Sequence, residues 1–136
     1  MKNTKGYSLA ELLTVILIVG MLAAIAIPLM RGRVDSAKWS EGKASAGTIA
    51  TAIRAWVAGY NMPGSWTNAP GSLDLKELGF GEEDLNGVYF SKENYTWIVD
   101  YDGENLQYVI TVTKPVPSWK PDQVVLNTGV WQESGI

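Results

Sequence analysis

The chain has no cysteine and no histidine. Without cysteine there is no disulfide and no thiolate metal site. Without histidine, the commonest general base and the commonest metal ligand are both missing. Catalysis would have to rest on a carboxylate pair or a serine–lysine dyad, and nothing in the chain places such groups together. The expectation is a protein that is not an enzyme and holds no cofactor and no metal. Positive charge is also scarce: 11 Lys and Arg stand against 14 Asp and Glu, a formal net charge of −3. The clearest basic cluster is Arg31, Arg33 and Lys38. That falls short of the concentrated basic face a nucleic-acid partner requires, so no nucleic acid is expected. Tryptophan, by contrast, is plentiful, at six residues. The reading is an aromatic core for a small sheet domain, rather than an exposed stacking surface.

What dominates the sequence is its start. Residues 12–30 are apolar apart from Thr14, and between Tyr7 and Met30 the one charged residue is Glu11. A run of this length suits a helix crossing a bilayer core of roughly 30 Å. Setting it aside leaves about 100 residues, enough for a modest core but not for a large enzyme. Residues 1–6 are short, basic and polar. An ordinary secretory signal is cut after its apolar region, at small residues. Positions 23–26, Ala-Ala-Ile-Ala, imitate such a site, but the glycine here precedes the apolar run.

Lys5-Gly6 followed by Tyr7-Ser8-Leu9-Ala10-Glu11 resembles the prepilin-peptidase site of type IV pilins and their pseudopilin relatives. The resemblance implies cleavage between Gly6 and Tyr7 on the cytoplasmic side and N-methylation of Tyr7, where the family usually has phenylalanine. It places Glu11 on the family's glutamate, fifth in the mature chain, and Pro28 on its helix-bending proline. It runs from Lys5 to about Leu29. It implies a precursor in the bacterial inner membrane, single-pass with its N-terminus cytoplasmic, that ends in a periplasmic or extracellular filament. The implied partners are further copies of the chain, a prepilin peptidase/N-methyltransferase, the inner-membrane assembly machinery, and the membrane itself before assembly.

The chemistry of Glu11 agrees. A bare carboxylate in the membrane region costs about 2.5–3.5 kcal/mol on insertion scales, and such groups are usually paired. The cation that cleavage would create is the α-amino group of Tyr7, four residues from Glu11 and so on the same helix face. The pair can form within one subunit or between neighbours; alternatively Glu11 sits at the headgroup boundary. Pro28 lacks an N–H and crowds the carbonyl of Ala24, and Gly20 weakens the helix between them. Residues 20–28 are therefore where the helix should bend or loosen, either as a simple membrane kink or, as the resemblance implies, on packing into a filament. Lysines precede the segment, but Arg31, Arg33 and Lys38 follow it, so counting charges does not orient it.

The remainder predicts an α+β fold: a long N-terminal helix, membrane-spanning half plus amphipathic half, packed on a small antiparallel sheet. Ile49, Ile53, Trp56 and Tyr60 share one helical face. A helix from 7 to 59 would measure roughly 80 Å. The turn-rich run 61–71 ends it. Residues 72–79 predict a short helical turn with Ser72 as cap and Gly79 as stop, and Glu82-Glu83-Asp84 a solvated turn. Asp102-Gly103 predicts a two-residue hairpin turn. It pairs Tyr101 with Glu104, Val99 with Leu106, Trp97 with Tyr108 and Tyr95 with Ile110. That face should pack on Ile49, Ile53 and Trp56. Pro115, Pro117 and Pro121 make a loop around Trp119, and residues 127–129 a three-residue hairpin loop, giving three to five strands. The expected divisions are a leader (1–6), an assembly helix (7–30), an amphipathic helix (31–60), a connecting loop (61–87), and the sheet with its C-terminal loop (88–136).

The leading functional expectation is a structural subunit of a type IV pilus-like filament. A type II secretion pseudopilin is the alternative, although the D-P-W-G-N-P-like run of the major pseudopilins is missing; Pro63-Gly64-Ser65-Trp66 stands in that region. An alternative of another class is a single-span membrane-anchored binding domain using exposed aromatics such as Trp66 or Trp119.

Overall fold

The computed structural model describes residues 6–60, 66–67 and 73–134. Helix α1 runs Leu9–Tyr60, followed by strands β1 (Trp66–Thr67), β2 (Tyr95–Tyr101), β3 (Leu106–Thr113), β4 (Gln123–Asn127) and β5 (Val130–Ser134). The expectations placed on Lys2 and Lys5, on residues 61–65 and 68–72 with the Ser72 cap, and on the side chains of Arg31, Tyr60 and Trp66 lie outside the described residues. The chain divides into two compact units, one reaching Ser36 and the other beginning at Ala37.

In the first unit, residues 9–30 are helical without interruption, through Gly20 and Pro28, and all are exposed except the partly covered Ala23. Leucine, alanine and methionine are good helix formers, and an apolar surface all round a helix has no reason to face water. Thr14, the one hydroxyl in this run, donates to the Ala10 carbonyl at 2.8 Å, so it asks nothing of its surroundings. This is the one helix among the described residues long and apolar enough to cross a membrane, by length and composition.

In the second unit, α1 buries Trp39, Ala46, Ile49, Ala50 and Ile53 against Tyr95, Trp97 and Val99 of β2, Tyr108, Ile110 and Val112 of β3, and Val124 and Leu126 of β4. The packing of the Trp97/Tyr108 face on the Ile49/Ile53 stripe is therefore as expected, with Trp56 half-buried at its margin. Burying one such aliphatic side chain stabilises the fold by about 1.5–3 kcal/mol. The stripe reaches back to Trp39 through Gly42, whose missing Cβ would lie 3.0 Å from the Phe90 ring. Arg54 closes the opposite end: its guanidinium donates to the Tyr108 hydroxyl and lies 5.2 Å from that ring.

The sheet is a five-stranded antiparallel meander in chain order, β1 contributing two residues. Its β2–β3 register differs from the expected one by two residues. Tyr101 pairs with Leu106, Val99 with Tyr108, Trp97 with Ile110 and Tyr95 with Val112. The reason is the turn. Asp102 accepts from the main-chain N–H of Glu104 (2.9 Å) and Asn105 (2.6 Å), which makes residues 102–105 a four-residue loop with Gly103 at φ +99°. A two-residue slip preserves the alternation of faces, so the inward side chains are unchanged. The β4–β5 loop is tighter than expected: Asn127 pairs with Val130, leaving Thr128 and Gly129 at positive φ as a two-residue turn.

Residues 75–79 form a short turn, with Leu78 N–H on the Asp74 carbonyl (3.3 Å), and it is ended by Gly79 at φ +84°. Phe80 N–H bonds to the Leu75 carbonyl (2.9 Å) and Gly79 N–H to that of Lys76 (3.1 Å), the helix-stop pattern that requires a left-handed residue. Trp119 is half-buried, not an exposed platform: its ring packs edge-on to Tyr89 and Phe90, each at 5.9 Å.

Candidate functional site

The helix begins with a reciprocal cap. Ser8 N–H donates to Glu11 Oε2 at 2.8 Å, and Glu11 N–H donates to Ser8 Oγ at 3.3 Å. A serine three residues before a glutamate satisfies two of the N–H groups that a helix start leaves orphaned. The same arrangement sets a carboxylate where the helix dipole favours negative charge. Sequence reasoning singled out Glu11 and missed Ser8, although the S-x-x-E spacing announces it.

Gly6 and Tyr7 precede the helix in non-helical backbone, and Tyr7 is 84% exposed. Nothing lies within 4 Å of where a Cβ on Gly6 would stand. Tyr7, Ala10, Glu11, Thr14 and Val15 line one shallow groove on a single helix face, so the structure brings Tyr7 and Glu11 together. Gly20 and Pro28 lie further along the same helix, Gly20 with no side chain near it. Among the described residues no group of three or more His, Cys, Asp or Glu is placed to hold a metal ion.

A second carboxylate, which sequence reasoning passed over, is Glu41. It accepts three consecutive main-chain N–H groups: Val88 (3.2 Å), Tyr89 (2.9 Å) and Phe90 (3.0 Å). Consecutive amides of this kind form an anion-binding concavity, here filled by the protein's own side chain. No local pattern announces it, because the partners lie 47–49 residues apart.

A glycine–tyrosine junction in non-helical backbone, a capped carboxylate four residues on and an unbroken apolar helix behind them follow one another at the start of the chain. Residues 1–27 match the prokaryotic N-terminal methylation motif. This N-terminus is a type IV pilin-like class III signal peptide, and the long helix with its antiparallel sheet is a pilin-like α+β arrangement. The motif implies processing by prepilin peptidase and filament assembly, and with the apolar helix it marks a membrane-anchored precursor. The match covers Gly6, Tyr7, Glu11 and Gly20 and stops one residue short of Pro28. No curated protein and no solved structure is similar enough to the chain to count as a match.

Proposed function

We propose that this chain is a structural subunit of a type IV pilus-like filament, cut between Gly6 and Tyr7, methylated on the Tyr7 amine, and polymerised through residues 7–30. The observation that carries the reading is the methylation motif continuing into a helix whose apolar side chains are left exposed from residue 9 to residue 30. Such a surface leaves water only by entering lipid or by packing on other copies. Cleavage removes Lys2 and Lys5 and no acid. The net side-chain charge then falls from −3 to −5, while a new amine appears at Tyr7. That amine, when protonated, is a partner of opposite charge for Glu11 in the same or a neighbouring subunit. Residues 20–28, with Gly20 and Pro28, are where the helix loosens on packing.

The pseudopilin of a type II secretion system shares every feature used above; the missing D-P-W-G-N-P-like run favours the pilus. A binding module is disfavoured by Trp119, which packs on Tyr89 and Phe90 instead of standing free. The test is mass analysis of the assembled polymer together with a Glu11→Gln variant. The expected result is N-methyl-tyrosine as first residue and a variant that is inserted and cut but does not polymerise. A polymer beginning at Met1, or normal filaments from the variant, would sink the reading.

A further inference from the structure

We infer that Asn86–Gly87 is a self-modification site that the fold keeps silent: the pair deamidates when the 83–92 loop opens, and the product no longer fits the closed loop. Asn86 precedes a glycine, the one such pair in the chain, and asparagine is among the chemically labile residues. Glycine, with no Cβ, leaves its main-chain nitrogen unshielded. That nitrogen attacks Asn86 Cγ. A bond forms between the Gly87 nitrogen and Cγ, the Cγ–Nδ2 bond breaks, and the Gly87 proton departs with Nδ2 as ammonia. Water then opens the cyclic imide at either carbonyl, giving aspartate or isoaspartate at position 86.

Burial does not prevent this reaction, since Asn86 and Gly87 are both exposed. Hydrogen bonds do. Asn86 Nδ2 donates to Glu83 Oε2, and Asn86 Oδ1 accepts from the Lys92 N–H at 3.1 Å. Both ends of the carboxamide are thus tied to groups other than Gly87. The Gly87 N–H donates to the Phe90 carbonyl at 2.8 Å, so the nucleophile is tied as well. The Glu41 carboxylate, 2.2 Å from where a Gly87 Cβ would stand, further disfavours negative charge on that nitrogen. Each of the three bonds lowers the population of open loop by about two- to tenfold, and a reaction through the open state tracks that population. The same contacts dictate the reactive pair. Any Cβ at position 87 would collide with Glu41, and a carboxamide both donates to Glu83 and accepts from Lys92. Aspartate at position 86 sets a second carboxylate against Glu83. Isoaspartate adds a main-chain methylene directly before the three amides that hold Glu41. Either product loosens the tie between α1 and the segment leading into the sheet, and neither reverts to asparagine.

The test incubates the full chain in detergent micelles in mildly alkaline buffer, native or in guanidinium chloride, and digests it with trypsin. The peptide Glu77–Lys92 holds no other asparagine, so its mass gain and isoaspartate content report on Asn86 alone. Conversion should be at least about tenfold slower in the native chain than in denaturant. Glu83→Ala, which frees Nδ2, should speed native conversion about fivefold and leave the rate in denaturant unchanged. Once denaturant is removed, the amides of residues 88–90 should exchange hydrogen faster in converted chains than in unconverted ones. Equal rates in the native and denatured chain, or no conversion in denaturant, would overturn the inference. So would a Glu83→Ala variant that converts no faster, or converted chains that keep slow exchange at 88–90. None of these outcomes bears on the filament reading, which stands or falls with Glu11→Gln.

Discussion

Glu41 and Phe90 are 49 residues apart in the chain and joined at 3.0 Å, carboxylate oxygen to main-chain N–H. The Phe90 ring lies against Gly42 and 5.2 Å from Trp39, so the helix and the segment leading into the sheet are locked by one polar and one aromatic contact. Removing the carboxylate leaves three N–H groups to find water. Glu41→Ala should lower stability by about 1–3 kcal/mol, read from the shift of the urea midpoint followed by tryptophan fluorescence. Gly87→Ala should produce a loss in the same direction, because its Cβ cannot share space with Glu41 Oε1.

Ser8 should matter through Glu11. Replacing an N-cap serine by alanine costs about 0.5–2 kcal/mol of helix stability, whereas threonine keeps most of the cap. Ser8→Ala should therefore speed hydrogen exchange at the amides of residues 9–12, and Ser8→Thr should restore slow exchange. Equal exchange in the alanine variant and the wild type would remove Ser8 from the site.

The β2–β3 turn should be acid-sensitive. The N–H groups of Asn105 and Glu104 hold the Asp102 carboxyl below its ordinary 3.8, and the hydrogen bond from Lys114, with its charge, does the same for Asp122. A folded-state value below the unfolded one adds stability that is present above the unfolded value and is lost as pH falls through the folded one. The stability difference between wild type and Asp102→Asn should therefore be constant near neutrality. It should shrink once pH drops below about 4, as measured by urea midpoints across that range.

The core should respond as a packed interior. Ile53 is fully buried between α1 and the sheet, so Ile53→Ala should cost about 2–5 kcal/mol. Val88→Ala, at an exposed site, should stay within about 0.5 kcal/mol. Calorimetry of the two variants separates them; a similar loss in both would place Val88 in the core.

Much of this molecule was legible from local pattern. The apolar run at residues 12–30 and the Lys5-Gly6 junction are one-dimensional signals, because a bilayer and a peptidase both read consecutive residues. Period-two alternation in 95–101 and 106–112 specified which side chains turn inward, and that survived a two-residue error in register since the period is two. What local pattern could not supply was the length of the Asp102 turn, which depends on a carboxylate choosing Glu104 and Asn105 over solvent. Nor did it supply the role of Glu41. A glutamate among polar neighbours on a helix looks solvated until a loop from far along the chain folds its amides onto it. Hydrogen bonds across 49 residues have no sequence period. They exist only once the core between Trp39 and Phe90 has closed.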